Sequence, residues 1–313
     1  MTVAYLGPAG SISHRALVAG AGGVLAGDLA DGPDGVPLAT ITEVLDAVEA
    51  GEVAAGVVPV EDSVEGAVRE TVDHLAFRAV RSAVHDQVVV DVDLRLLVPP
   101  GTSLADVTAV ASHPHALAQC RASLVALGLT ATVPTPSSSS ACQLVAEGSR
   151  PGLAALATPE AGEAAGLVAL PDDEAHIAPS STAFAVVRTG PLRHHDRGRV
   201  LLFAVPTRNR PGVLQSLLSP FSVRGINLTR LESRPLASVL GEYGFTVELD
   251  GGLRDPVFVE ALEELTADRT ALKLLGAYPV VDRGWGTVHL RELVGRVASD
   301  PAELDALLGE VEA

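Results

Sequence analysis

The sequence predicts an α/β protein in two parts: a long tract of alternating strands and helices, then a shorter βαββαβ unit of the ferredoxin-like kind. Three observations carry this. Apolar runs such as Val57–Val60, Leu153–Ala157 and Ala183–Val187 have the length of buried strands, not of helices. Between them lie stretches with helical spacing and helix start signals. A segment rich in Gly, Pro, His and Arg, TGPLRHHDRG at 189–198, divides the two tracts.

In the first tract, Ala4–Leu6 reads as a strand and Ser11–Ala19 as the start of a helix. Thr40 and Glu43 have capping-box spacing for a helix that ends at Gly51. Val57–Val60 is a strand, and Val64, Val68, Val72 and Leu75 follow at helical spacing. Ser82–Pro99 alternates Asp and Arg with apolar residues and reads as extended chain. Thr108–Ala111 is a strand. The helix after it takes Ser112 as N-cap, with Pro114 in its first turn and Leu117, Cys120 and Leu124 on one face. The run Ser137–Ser140 caps a helix ending near Gly148, and Leu153–Ala157 and Ala183–Val187 complete the strands. Such alternation indicates layered α/β architecture, in which ligands sit at the carboxyl ends of strands.

In the second tract, Arg199–Val205, Pro211–Val223, Ile226–Pro235, Leu240–Leu249, Asp255–Thr266 and Leu272–Ala277 follow in the order βαββαβ. Val259, Leu262 and Leu265 should face inward, and Pro220 should end or kink its helix. Beyond residue 280, Asp300, Pro301 and Glu303 cap a short terminal helix.

Composition sets outer bounds. With 313 residues, 47 % hydrophobic and 19 % charged, the chain suits two globular domains. Its net charge is −17, and Lys273 is the one lysine among 22 basic residues, so it lacks the basic footprint that nucleic acid or an anionic membrane requires. An anionic substrate must therefore be held by local donors such as helix N-termini. No apolar stretch approaches the roughly 20 residues that span a bilayer. MTVAYLGPAG lacks the pattern of a secretory signal. Cys120 and Cys142 make neither a disulfide framework nor a zinc cluster. The expectation is a cytoplasmic protein.

Polar side chains collect where the strands end. GPAGSIS (7–13) puts glycines, serines and backbone N–H groups at a helix start, a natural anion site. VVPVEDSVEG (57–66), ASHPHALAQC (111–120), PTPSSSSA (134–141) and LATPEAG (156–162) repeat the arrangement. Each alone reads as readily as a structural cap or a solvated loop. His113 and His115 lack a third ligand at metal-binding spacing. Nucleotide-binding glycine motifs and a Gly-x-Ser-x-Gly elbow are absent. APSSTAFAVV (178–187) differs from the others, because Ser180, Ser181 and Thr182 precede a strand.

Taken together with GINLTRLESRP (225–235) and GEYGFTVELDG (241–251), these stretches make the chain resemble prephenate dehydratases fused to a regulatory ACT domain, to about residue 280. The resemblance implies a two-lobed, periplasmic-binding-protein-like catalytic domain at 1–190, an ACT domain at 198–280 and a tail at 281–313. It implies decarboxylative dehydration of prephenate to phenylpyruvate with no cofactor and no metal. Thr182 occupies the threonine of the family's Thr-Arg-Phe motif, with Ser63 and Glu61 as further catalytic groups. Pro8, Ala9, Gly10, Ser11, Asp62, Ser112, His113, His115, Ser137, Ser138, Thr158 and Phe184 would bind substrate in the cleft. Gly212, Val213, Leu214 and Asn227, with Glu232, Ser233, Arg234 and Pro235, would line a phenylalanine site between two ACT units. That site requires a homodimer or homotetramer.

The chain departs from the family pattern at the site. Ala183 stands where the family has arginine, Asp62 where it has asparagine, and Ser180 near another asparagine position. Ser11 and His115 replace a threonine and a glutamine. Arg15, Arg69 and Arg121 are candidates to supply the cation missing at Ala183. The departures keep two alternatives open: a sibling enzyme such as an arogenate dehydratase or a prephenate decarboxylase, and a non-catalytic amino-acid sensor.

Overall fold

The computed structural model describes residues 2–21, 23–25, 35–64, 66–177, 180–207, 209–236 and 241–281. Ala178, Pro179, Leu240 and the terminal helix expected at Asp300–Glu303 lie outside the described residues.

The chain begins with β1 (Val3–Leu6), α1 (Ile12–Ala21), β2 (Val36–Leu38), α2 (Ile41–Ala50), β3 (Ala55–Asp62), β4 (Gly66–Ala67), α3 (Arg69–Phe77) and β5 (Ser82–Val92). Helix α2 starts as expected: the Thr40 hydroxyl accepts the Glu43 N–H at 3.1 Å, while the Glu43 carboxylate reaches past the cap to the Ala39 N–H at 2.9 Å. It stops at Gly51, whose φ of 78° is easy for glycine alone. Helix α3 is shorter than Val64 and Val68 suggested. The chain first folds back, so that β4 pairs with the end of β3, and Val64 is exposed. Val72 and Leu75 carry the buried face.

A second lobe follows: β6 (Arg95–Val98), β7 (Ala109–Ser112), α4 (Pro114–Gln119), α5 (Arg121–Ala126), β8 (Thr132–Pro134), α6 (Ser138–Ala146), β9 (Leu153–Ala157), α7 (Pro159–Ala164) and β10 (Val168–Ala169). Its sheet has the order β10-β6-β9-β7-β8. One helix expected across Leu117, Cys120 and Leu124 is two, broken at Cys120, yet Cys120 and Leu124 both reach the same core. The chain returns through β11 (Ser180–Thr189), which lies between β3 and β5. The two lobes are thus joined by β5→β6 and β10→β11.

The remaining elements are β12 (Gly198–Val205), α8 (Val213–Ser222), β13 (Leu228–Pro235), β14 (Tyr243–Asp250), α9 (Pro256–Ala267) and β15 (Ala271–Pro279). They form an antiparallel layer in the order β13-β14-β12-β15, the arrangement of a ferredoxin-like unit. Pro220 falls in the last turn of α8, and the helix stops two residues later at Ser222. In α9, Phe258, Ala261 and Leu265 pack into the core, and Val259 is half-exposed, one position off that inward face.

This layer continues the first sheet. Strand β15 meets β5 at a single parallel pair, Gly276 with Val84, and the ten-stranded sheet then runs through β11, β3, β1 and β2. A Cβ on Gly276 would lie 2.8 Å from the Val84 carbonyl oxygen, so only glycine allows the approach. Core side chains also cross the join. Leu201, Phe203, Leu275 and Tyr278 pack in one cluster with Val58, Val60, Val72 and Leu75. Among the described residues no helix is long and apolar enough to cross a membrane.

Candidate active site

Side chains alternate along a strand, so Val58 and Val60 on the α2–α3 face predict Asp62 on that face and Glu61 opposite. The structure reverses this. Thr182 pairs with Asp62 and Ala183 with Glu61, but Phe184 pairs with Pro59, so β3 carries one extra residue in a bulge. Val60 and Glu61 consequently face the α2–α3 core together with Ala183, while Asp62 joins Thr182 on the other face. There the Thr182 hydroxyl donates to Asp62 Oδ2 at 2.7 Å, and the Val64 N–H donates to Asp62 Oδ1 at 2.9 Å. Asp62 is 3 % exposed and Thr182 7 %.

The pair sits where β11 re-enters from the second lobe. One residue earlier, the Ser181 N–H donates to Ser63 Oγ and the Ser63 N–H to the Ser181 carbonyl, each at 2.9 Å. The Ser181 hydroxyl donates to Asp91 Oδ1 at 2.7 Å. From the second lobe, Gln119 Nε2 donates to Ser180 Oγ, and both residues are buried. Cys120 is close enough to feel the site: burial, reinforced by the Asp62 charge, raises its thiol to about 11.

The first-lobe turn is fixed from within. Ser11 donates to the Leu6 carbonyl at 3.1 Å and accepts the His14 N–H at 3.2 Å, while Pro8, Ala9 and Gly10 stay exposed. On α1, Arg15 donates to the Asp91 carbonyl at 3.3 Å. The Glu160 carboxyl, on the second lobe, is lowered by its own backbone N–H, the Thr158 hydroxyl and the Arg15 charge. Of the three arginines expected to compensate for Ala183, Arg15 bridges toward the second lobe, whereas Arg69 and Arg121 are exposed.

The second-lobe residues gather at the ends of β7 and β9. Ser112 is not the helix cap. It ends β7 fully buried, donates to the Leu156 carbonyl at 2.6 Å and lies 3.1 Å from the Ser138 hydroxyl. His113 caps α4 instead, its Nδ1 accepting the His115 N–H at 3.2 Å, and both histidines are exposed. Ser137 caps α6, accepting the Ser140 N–H at 3.0 Å. Thr158 precedes α7.

Two expected site residues are placed elsewhere. Phe184 is 1 % exposed in the core with Tyr5, Leu17 and Val57, so it supports the strand and offers no open surface. Glu61 is carried by the bulge to the opposite face from Thr182, where it forms an ion pair with Arg230 of β13. Ala183 shares that face, so an arginine there would not point along the Thr182 side. The strand hydroxyls also lie within β11, not before it. Gln119, Asp91 and Arg230 were missed. Gln119 had a signal, a polar residue within the apolar face of a helix; the other two act only through distant partners.

The residues expected to bind phenylalanine, Asn227 apart, share one end of the βαββαβ layer. Gly212, with φ 82°, precedes α8, followed by Val213 and Leu214. Strand β13 ends at Glu232–Pro235, and Phe245 of β14 lies between its Ser233 and Ala204 of β12. Val213, Asn209, Tyr243 and Phe245 line a small depression there. Asn227 sits at the other end, donating to Asp250 at 2.8 Å. Arg234 is engaged toward the first lobe: Nε donates to Asp73 Oδ1 of α3 at 2.7 Å, and Nη2 to Oδ2.

Comparison with known proteins gives a consistent result. The prephenate dehydratase family model matches residues 3–191. A prephenate dehydratase of Corynebacterium glutamicum is 36 % identical over 88 % of this chain and 87 % of its own. The crystal structure of prephenate dehydratase from Arthrobacter aurescens in complex with L-Phe superposes with a TM-score of 0.72 at 29 % identity, covering 99 % of this chain and 100 % of that one. A structure described as GqqA, a quorum-quenching acylase, gives 0.67 at 27 % identity over 89 % and 98 %.

Proposed function

The chain belongs to the prephenate dehydratase family, and on that premise we propose that Thr182 and Asp62 together handle the leaving hydroxyl in the conversion of prephenate to phenylpyruvate. In that reaction the bond to the ring carboxylate breaks, CO2 leaves, and its electron pair enters the ring as the ring C–O bond breaks. The departing hydroxide must gain a proton to leave as water. Aromaticity drives the step, so the protein's task is to place the dianion and supply that proton.

The observation that carries the reading is the buried 2.7 Å contact from Thr182 to Asp62 at the junction of the two lobes. With Asp62 ionised, the threonine hydrogen points at the carboxylate. With Asp62 protonated, the direction reverses: the carboxyl donates to Thr182 Oγ1, and the threonine hydrogen is free to pass to the leaving oxygen. General acid assistance of this kind contributes about 10²–10⁴-fold. The Ser63 hydroxyl and the N-termini of α1, α4, α6 and α7 offer donors for the substrate carboxylates, with Arg15 as the cation and Ser11 holding the turn before α1 in shape. Acyl transfer, the activity named for one structural neighbour, would need Thr182 or Ser63 as nucleophile; the Ser63 oxygen is occupied by the Ser181 N–H.

Residues 1–190 form the catalytic part in this reading and 198–280 an ACT domain that binds phenylalanine at Gly212–Leu214 and Glu232–Pro235. Supporting this are the ferredoxin-like strand order and the L-Phe complex of the Arthrobacter relative. The site then forms between copies, in a cytoplasmic homodimer or homotetramer.

The test is incubation with prephenate, read by the alkaline absorbance of phenylpyruvate. Appearance of phenylpyruvate supports the reading. Consumption without it means a redirected reaction such as decarboxylation alone. No consumption, repeated with arogenate, separates an arogenate enzyme from a sensor.

A further inference from the structure

We propose that Arg230 is a positioning residue for this reaction, acting from the βαββαβ unit through Glu61 on the Asp62–Thr182 pair. The inference rests on the dehydratase reading for its kinetic consequence, and on geometry alone for the contact itself.

Arg230 is 9 % exposed, and its Nη2 donates to Glu61 Oε2. A buried cation of this kind is poor evidence for stability, because the desolvation cost rivals the Coulomb gain. What the pair fixes is geometry. Glu61 immediately precedes Asp62 and lies on the other face of β3, so the two carboxylates are held back to back across one peptide unit. Turning the Glu61–Asp62 segment about the strand axis would withdraw Asp62 from Thr182 and Glu61 from Arg230 together.

Ladders fix the backbone of the segment on both sides, Glu61 with Ala183 and Ala67 and Asp62 with Thr182 and Gly66, while the preceding Val60 is the bulged residue without a β11 partner. Next to that irregularity, the ion pair adds a side-chain hold on the facing of Glu61, and through it of Asp62. Arg230 is itself anchored. Its cross-strand neighbour Glu248 is buried, accepts from Tyr278 and lies 3.1 Å from Arg199. Burial opposes the Arg230 charge, but the Glu61 and Glu248 carboxylates outweigh it and hold the guanidinium ionised. Neighbouring contacts grip the same region: Arg234 on Asp73, and Lys273 Nζ donating to the Leu75, Ala76 and Ala79 carbonyls at 2.7, 3.0 and 2.5 Å. Of these, Arg230 alone reaches the strand that carries Asp62.

Ala183 adds a rescue. It faces Glu61 directly across the β3–β11 pair, on the same face. An arginine at 183 could reach the Glu61 carboxylate from the neighbouring strand, so in this chain Arg230 does from a distance what that position could do locally.

The experiment compares wild type with Arg230→Met, Glu61→Gln, their double variant, and Ala183→Arg combined with Arg230→Met. Each single change should lower kcat about tenfold with KM within about twofold, and the double should be no worse than either single. Ala183→Arg should recover most of the loss in the Arg230→Met background. Glu61→Gln alters a half-exposed side chain, so it tests the contact even where Arg230→Met folds poorly. Kinetic constants for both singles within twofold of wild type, or additive losses in the double, would overturn the proposal. Hydrogen exchange decides independently of substrate: Arg230→Met should speed exchange of the Ser63 and Ser181 amides about tenfold while the amide of Val57 is unchanged. Unaltered exchange at Ser63 defeats the inference. A wild type without phenylpyruvate formation would defeat the functional reading and leave this measurement to judge Arg230.

Discussion

The Thr182 hydroxyl and the Asp62 carboxylate meet at 2.7 Å across an antiparallel pair, both withdrawn from water, at the point where the chain crosses back between lobes. A threonine is a weak free acid, so its use depends on the group that orders its hydrogen. Replacing it by valine keeps the shape and removes the donor. Thr182→Val should lower kcat about a hundredfold or more, with KM changed far less, as for a group acting in the transition state. Steady-state kinetics at saturating prephenate measure this, and near wild-type turnover would reduce Thr182 to a strand residue.

Asp62→Asn tests which proton arrangement matters. The amide oxygen can keep the Val64 N–H, and the amide nitrogen would donate to Thr182 Oγ1, leaving the threonine hydrogen free. One negative charge also leaves the neighbourhood of a dianionic substrate. The expected result is a KM several times lower, with a kcat about tenfold lower or more, because an amide cannot replace the proton that Thr182 passes on. A kcat equal to wild type would show that Thr182 assists as a donor without the carboxyl.

Glu49 closes α2 onto the start of β5. Burial pushes its carboxyl up, but the Ser82 hydroxyl and the N–H groups of Arg81, Ser82 and Val80 outweigh it and hold the group at about 2. The unfolded chain therefore binds this proton more readily than the native one, and the contribution is full above pH 4.5 and lost as pH falls toward 2. With the side chain 22 % exposed, the contribution is on the order of 2 kcal/mol. Glu49→Gln should lower stability by that amount in urea at pH 7, and the gap should narrow to less than half near pH 3 and close only around pH 2 and below. A gap constant with pH would show that the carboxylate charge plays no part.

Phenylalanine at millimolar concentration should raise the melting temperature and slow turnover, since a ligand of the folded state stabilises it by mass action. Arg234 is held by Asp73 in this structure, so an effector carboxylate that recruits Arg234 must break that pair. Asp73→Asn should therefore lower the phenylalanine concentration for half-inhibition about threefold or more. An unchanged half-inhibition point would mean that Arg234 stays on α3 while phenylalanine binds.

The reading from sequence succeeded where signals are local. Thr40 and Gly51 bound α2, Ser137 starts α6, and the βαββαβ order follows from spacing alone. It slipped by one residue where two chemistries compete. Ser112 looked like a cap, but a buried carbonyl of Leu156 claims its hydroxyl and the ring of His113 takes over. In α9 the small Ala261 carries little apolar signal, which favoured Val259. The exchange of Glu61 and Asp62 between faces was invisible, because a bulge is a matter of pairing, and no residue of PVED announces an unpaired position. Arg230 and Glu61 are 169 residues apart, and nothing local to either predicts the other.

The single contact between Gly276 and Val84, with the core shared by Leu201, Phe203, Leu75 and Val60, bears on how such chains could trade parts. A βαββαβ unit that ends in solvent can be exchanged by recombination in the linker before it. Here the unit completes another unit's sheet, so a foreign replacement would have to bring a glycine at the join and a matching apolar face. Recombination at 189–198 alone would leave a raw sheet edge and an uncovered core. The join therefore penalises exchange of the two parts at that linker and favours substitution within the existing unit as the route to a new effector specificity.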